Sequence, residues 1–229
     1  GLVFANAQYG GKGSTRHYKI ATDVFETVND QFTTGTLKWP NVIWPSGVTP
    51  TLLYQDGGVS GGAAVLRRMD AGMNSWDLDP TLASSGVAQY PVLVAGGAAY
   101  YAAWANCGDN FRVATRWHDG AVLKDLKTVP NIGPVEALAA AFGSTGWYLG
   151  GFDTGAAGLV VWRHDFGSET WSMLGGKIQS GSFDNISVML DATGRVWVAA
   201  RARSASDRLV VRYYDTTDNE WKNPGMVGL

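Results

Sequence analysis

Short turns rich in glycine, serine and asparagine carry most of the side chains able to do chemistry here. Asp56-Gly57-Gly58-Val59-Ser60, Asn106-Cys107-Gly108-Asp109-Asn110, Asp153-Thr154-Gly155 and Ser204-Ala205-Ser206-Asp207-Arg208 each contain an aspartate. Gly10-Gly11-Lys12-Gly13-Ser14 holds the corresponding place without one. Carboxylates and amides bond sugar hydroxyls, and an indole stacks on the C–H face of a pyranose ring. Asp56, Asn106, Asp109, Asp153, Asp207 and Arg208, with Trp39 and Asp184 from neighbouring loops, are therefore the expected ligand-binding residues. Gln89 and Gln179 are expected on the same rim. Asp, Asn, Gly and Ser are also ordinary turn formers, so these residues equally suit a purely structural turn.

Catalytic chemistry is harder to assemble. The chain has four glutamates, Glu26, Glu136, Glu169 and Glu220, and Glu136 alone sits where a strand could turn it toward a channel. Glu136 and Asp184 are the one candidate glycosidase pair, given a suitable separation. Sialidase-type chemistry needs arginines arriving from several places, whereas Arg201, Arg203, Arg208 and Arg212 crowd into one stretch. His17, His118 and His164 are far apart in sequence, at similar repeat positions, and no alternating-aspartate calcium loop is present, so no metal site is expected. Gly10-Gly11-Lys12-Gly13-Ser14 lacks phosphate-loop spacing and a following helix, and no cofactor is expected. Asn185-Ile186-Ser187 fits the glycosylation triplet.

Bulk properties narrow the class. A net charge of −2 with scattered basic residues offers no footprint for nucleic acid or anionic lipid. The apolar runs are too short to span a bilayer as helices, so no membrane insertion is expected. Cys107 is the single cysteine, which excludes an intrachain disulfide and reads as small apolar filler near a turn. Gly1-Leu2-Val3-Phe4 already reads as strand rather than as a leader.

The elements that would position these residues follow from a repeat. Asp70 and Trp76, Asp165 and Trp171, and Asp215 and Trp221 each enclose five residues, with Arg68, Arg163 and Arg212 just upstream. Phe25 and Leu123 occupy the tryptophan place in two weaker copies, giving positions 25, 76, 123, 171 and 221 and steps of 51, 47, 48 and 50. Such a period indicates one supersecondary unit copied five times. Aligned on that position, each repeat shows an apolar strand (41–44, 91–95, 135–142, 186–190), a second (2–7, 51–55, 99–104, 147–152, 196–201), a third (64–70, 112–118, 159–165, 209–215) and a short fourth. Residues 137–141 are the one segment compatible with helix. The arginine, aspartate and tryptophan are expected to join neighbouring units through a buried charge-assisted bond and an aromatic filler.

Tyr148-Leu149-Gly150-Gly151-Phe152 and Tyr214-Asp215-Thr216-Thr217-Asp218-Asn219-Glu220-Trp221 resemble the glycine-pair strand and the aspartate-to-tryptophan turn of kelch-like propellers. Asp165-Phe166-Gly167, followed by Thr170-Trp171, is similar to the Asp-box of sialidase-type propellers, without its leading serine and with one extra residue. Ala200 and Arg201 stand where the last repeat should carry the glycine pair. The resemblance implies an all-β, five-bladed β-propeller of four-stranded antiparallel blades, about 49 residues per repeat, spanning 1–229 as one domain with repeats near 1–34, 35–84, 85–130, 131–178 and 179–229. The first blade lacks its inner strand at the N-terminus; either 226–229 close the ring beside 2–7, which is the favoured expectation, or further chain belongs to it. Neither motif carries an activity. The expected function is a non-catalytic binding module, a lectin or receptor-binding propeller outside a cell or on a virion, taking a glycan or cell-surface receptor and compatible with an oligomer. The alternatives are a polysaccharide- or glycan-active hydrolase or lyase, and a protein-interaction scaffold.

Overall fold

Glycine-rich turns and alternating apolar residues leave this chain little besides antiparallel strands, and a computed structural model of the protein bears that out. It describes residues 2–7, 11–30, 32–46, 49–70, 72, 75–79, 84, 86–119, 123–203 and 207–224. Five sheets lie among them. The first has three strands, β1 (Leu2–Ala7), β2 (Gly13–Lys19) and β3 (Val24–Asp30). The second is β4 (Leu37–Ile43), β5 (Thr51–Asp56), β6 (Ala63–Met69) and β7 (Trp76–Asp79). The third is β8 (Ala88–Gly96), β9 (Ala99–Asn106), β10 (Arg112–His118) and β11 (Leu123–Asp125). The fourth is β12 (Val135–Gly143), β13 (Gly146–Asp153), β14 (Gly158–Asp165) and β15 (Thr170–Met173), with β16 (Gln179–Ser180) added beside β14. The fifth is β17 (Phe183–Leu190), β18 (Val196–Ala202), β19 (Arg208–Asp215) and β20 (Glu220–Lys222).

Each sheet is an up-and-down meander in chain order, and residues 137–141 are strand. The first sheet opens on the strand expected to be second. Residues 226–229, Gly10 and Ser204-Ala205-Ser206, on which expectations also rested, lie outside the described residues. By its contacts the chain divides into two compact units, Gly1–Gly108 with Arg116–Asp125, and Asp109–Thr115 with Leu126–Leu229. In the first unit Phe32, Leu37, Leu52, Tyr54, Val65, Met69 and Trp76 form one buried cluster. In the second, Leu159, Val161, Phe183, Val188, Val198 and Tyr214 belong to another.

The tryptophan position works differently from expectation. Trp76 donates its indole N–H to Thr15 Oγ1 of the preceding sheet at 2.7 Å, and Trp221 donates to the Leu174 carbonyl of its preceding sheet at 2.8 Å. In these two repeats the tie between sheets is thus an indole hydrogen bond, whereas the buried Trp171 indole N–H has no such partner and its ring serves as filler. The aspartates are turn caps: Asp165 Oδ1 accepts from the Gly167 and Ser168 amides, and Asp215 Oδ1 from that of Thr217. Arg163 does meet Asp165 at 2.7 Å, but with side chains 31% and 38% exposed the bond is not buried. Arg212 instead donates to Gln179 Oε1, while Asp215 pairs with Lys222.

The glycine pair Gly150-Gly151 is a packing requirement. A Cβ on Gly150 would sit 2.4 Å from Val188 Cγ2, because β17 lies directly on β13.

Candidate functional site

In each complete sheet the first strand begins beside the end of the second, so the loop leading into the first strand and the turn after the second emerge at one end of their sheet. Leu37 faces Asp56, Ala88 faces Asn106, Val135 faces Asp153 and Phe183 faces Ala202. One or two residues further in, every first strand carries one extra residue relative to its partner. The shifts fall between Lys38 and Asn41, Gln89 and Val92, Glu136 and Leu138, and Asp184 and Ser187. Each contains a left-handed non-glycine residue: Trp39 (φ 48°), Tyr90 (φ 51°), Ala137 (φ 55°) and Asn185 (φ 47°). Bulges of this kind bend a strand and re-aim a side chain, and are enriched beside functional sites.

Two of the expected ligand residues are committed elsewhere. Asp56 is fully buried and accepts from the amides of Thr34, Gly35 and Gly58 at 2.8 to 3.0 Å. Asp153 is equally buried and accepts from Ile132, Gly133, Gly155 and Ala156 at 2.8 to 3.2 Å. Their oxygens hold backbone, so neither side chain reaches solvent. Asn106 is the counterpart in the third sheet, with Oδ1 accepting from Gly108 at 3.1 Å. Asp109 and Asp207 lie further along their turns, Arg208 opens β19, and all three are exposed. The apparent series of rim aspartates therefore mixes a buried clamp position with an exposed one.

In the second unit Asp184, Arg201, Arg203 and Glu136 form a connected network. Arg201 reaches Asp184 through Nε at 2.6 Å and Nη2 at 2.5 Å, and Arg203 adds Nε at 2.9 Å. Arg203 Nη1 also donates to Glu136 Oε2 at 3.2 Å, and Asp207 lies 3.9 Å from Arg201. The hydrogen bonds of Arg201, then of Arg203, hold the Asp184 carboxyl at about 2, well below the usual carboxylate range. Such a group stays ionised at neutral pH and cannot act as a general acid. The pair Glu136 and Asp184 is therefore joined through Arg203 rather than poised across an open gap.

In the first unit Trp39 and Tyr90 come together, with ring centroids 5.0 Å apart and planes inclined by 51°. Trp39 is 36% exposed, and the Lys38 ammonium lies 5.8 Å from its ring centroid. Asn41 Nδ2 donates to the Trp39 carbonyl at 3.2 Å and the Pro91 carbonyl at 3.0 Å, tying the two bulges together. Tyr90, Lys38 and Asn41 were not singled out from sequence. Their signal was there: Trp39-Pro40 and Tyr90-Pro91 stand 51 residues apart, one repeat step.

His118 and His164 serve packing. His118 stacks on Tyr100 at 4.8 Å, and His164 lies 5.1 Å from the Trp171 ring. Burial pushes the His164 imidazole below its ordinary value. His118 and His164 face the tryptophan position of their repeats, while His17 is one residue out of register, facing Glu26.

No protein-family model matches this sequence, and no curated protein matches it. Solved structures do. TolB from Acinetobacter baumannii superposes with a TM-score of 0.55 at 15% identity, over 93% of this chain and 49% of that one. An ulvan lyase, a polysaccharide lyase bound to -[GlcA(1-4)Rha3S]-, gives 0.61 at 11% identity over 96% and 67%. The fold is a β-propeller. AofleA from Arthrobotrys oligospora gives 0.61 at 12% identity over 92% and 62%. This chain thus spans about half the length of the TolB chain and about three-fifths of the AofleA chain. At these identities the likeness is one of fold.

Proposed function

We propose that this propeller is a non-catalytic binding module that recognises glycans at the loop end of its sheets. The observation that supports this most is the bulge series. Four first strands present, at one rung, a re-aimed residue beside a polar one: Lys38 and Trp39, Gln89 and Tyr90, Glu136 and Ala137, Asp184 and Asn185. Hydrogen-bonding groups beside aromatic faces suit a ligand made of hydroxyls and C–H surfaces. Asp207 and Arg208, exposed at the start of β19, extend that surface in the fifth sheet. Repeated weak sites would gain by multivalency, fitting display outside a cell or on a virion. Screening the chain on a glycan array, with competition by free sugar, tests the reading; an array on which nothing binds overturns it.

A second reading, a glycan-active lyase or hydrolase, is favoured by one arrangement. Arg203 bonds Glu136 and shares Asp184 with Arg201, so that cations could offset a uronate's charge, and the ulvan lyase of similar fold holds a glucuronate-containing oligosaccharide. Glu136→Gln would then abolish turnover of a uronate polysaccharide with the melting temperature unchanged. Absence of turnover in the unmodified chain rejects it.

A further inference from the structure

The geometry points to Trp39 and Tyr90 as a stacking platform for a pyranose ring that presents an unbroken C–H face, an inference that rests on the glycan reading and gives it a place.

A left-handed backbone is unfavourable for bulky side chains, and a bulge does not need one: Ala137 and Asn185 fill the same slot in the fourth and fifth sheets. The aromatic character of Trp39 and Tyr90 is thus not explained by the bulge. Nor is core packing the explanation for Trp39, which is 36% exposed where Trp76, Trp147 and Trp162 are 4% or less. Both residues precede proline, which has no N–H to withdraw from the ladder and is suited to a bulge. The Asn41 side chain then bonds both bulged strands, fixing one aromatic carbonyl and the proline carbonyl next to the other. Two rings held 5.0 Å apart on tied backbones form a pre-organised surface, so little ordering entropy is lost when a rigid ring settles on them. Lys38, whose ammonium lies 5.8 Å from the Trp39 ring centroid, borders the platform with donors for hydroxyls.

Two aromatic faces inclined by 51° offer C–H contact to a ring rather than hydrogen bonds to its hydroxyls, so they select for ring shape, not for hydroxyl count. Cellobiose and lactose have such faces; sorbitol has the hydroxyls without the ring. After the array screen, the full chain is titrated with each while tryptophan emission is followed, alongside Trp39→Ala, Tyr90→Ala and Trp39→Phe. Cellobiose or lactose should shift the emission and sorbitol should not. The two alanine variants should weaken binding about tenfold, the loss expected for roughly 1.4 kcal/mol. Trp39→Phe should stay within about threefold of the parent, less than half of that loss on a logarithmic scale. Unchanged melting temperatures show that the loss is local. If the alanine variants bind sugar like the parent, or sorbitol competes equally, or the array binds only glycans other than these, the platform is overturned while glycan recognition stands. If nothing on the array binds, both fall.

Discussion

Asp56 and Asp153, 97 residues apart, close the same loop in two different sheets. Each ends the second strand of its sheet and accepts amides from the loop leading into the first strand and from its own turn. The supporting residues repeat as well. Thr33 Oγ1 accepts from Gly13 N and donates to the Gly35 carbonyl, while Asn131 accepts from Val113 N and donates to the Gly133 carbonyl. The backbones approach so closely that a Cβ on Gly35 would lie 2.1 Å from Gly58 N, and one on Gly133 2.4 Å from Gly155 N.

Removing such a clamp orphans several amides at once. Asp153→Ala is expected to lower stability by about 2–4 kcal/mol, several lost charge-assisted bonds being partly replaced by water. Urea unfolding measures this, and Asp109→Ala, on an exposed turn, should stay within about 0.5 kcal/mol of the parent.

The indole bond from Trp76 to Thr15 joins two buried partners, Thr15 at 0% and Trp76 at 4% exposure. Trp76→Phe and Thr15→Val should each destabilise by about 1–3 kcal/mol, since each orphans the other's polar atom. A double-mutant cycle should return a coupling of about 1 kcal/mol, and additive losses would show that the bond contributes nothing.

Gly150→Ala places a methyl against Val188. The expected cost is about 1–3 kcal/mol of overpacking, and Val188→Ala in the same chain should relieve part of it in thermal melts.

Acid should expose the network around Asp184. Its folded-state value of about 2 lies below the ordinary 3.8. Its stabilisation is therefore fully present above the ordinary value and is lost as pH falls from there through about 2. Melting temperature measured across that window should fall less steeply in Asp184→Asn than in the parent, because the variant has no proton to take up there.

Strand order and repeat length were legible in the sequence because side-chain alternation and the aspartate-to-tryptophan spacing report directly on local backbone. The site was less so. Asp56 and Asp109 look alike as turn residues, yet one ends a strand under a neighbouring loop and the other lies outside it. That difference is tertiary. Similarly, nothing local in Asp184 announces that Arg201 and Arg203 converge on it from β18 and the turn after it. The aromatic–proline pairs could have been noticed by their period, but their approach depends on Asn41 reaching across to the next sheet.

The extra residue in each first strand has an evolutionary consequence. Because it stands outside the two-residue alternation, substitution there leaves the inward-facing set on either side in phase. Trp, Tyr, Ala and Asn already occupy it in one molecule. The position behaves as an interchangeable socket, through which a descendant could acquire a new chemistry without re-registering a strand.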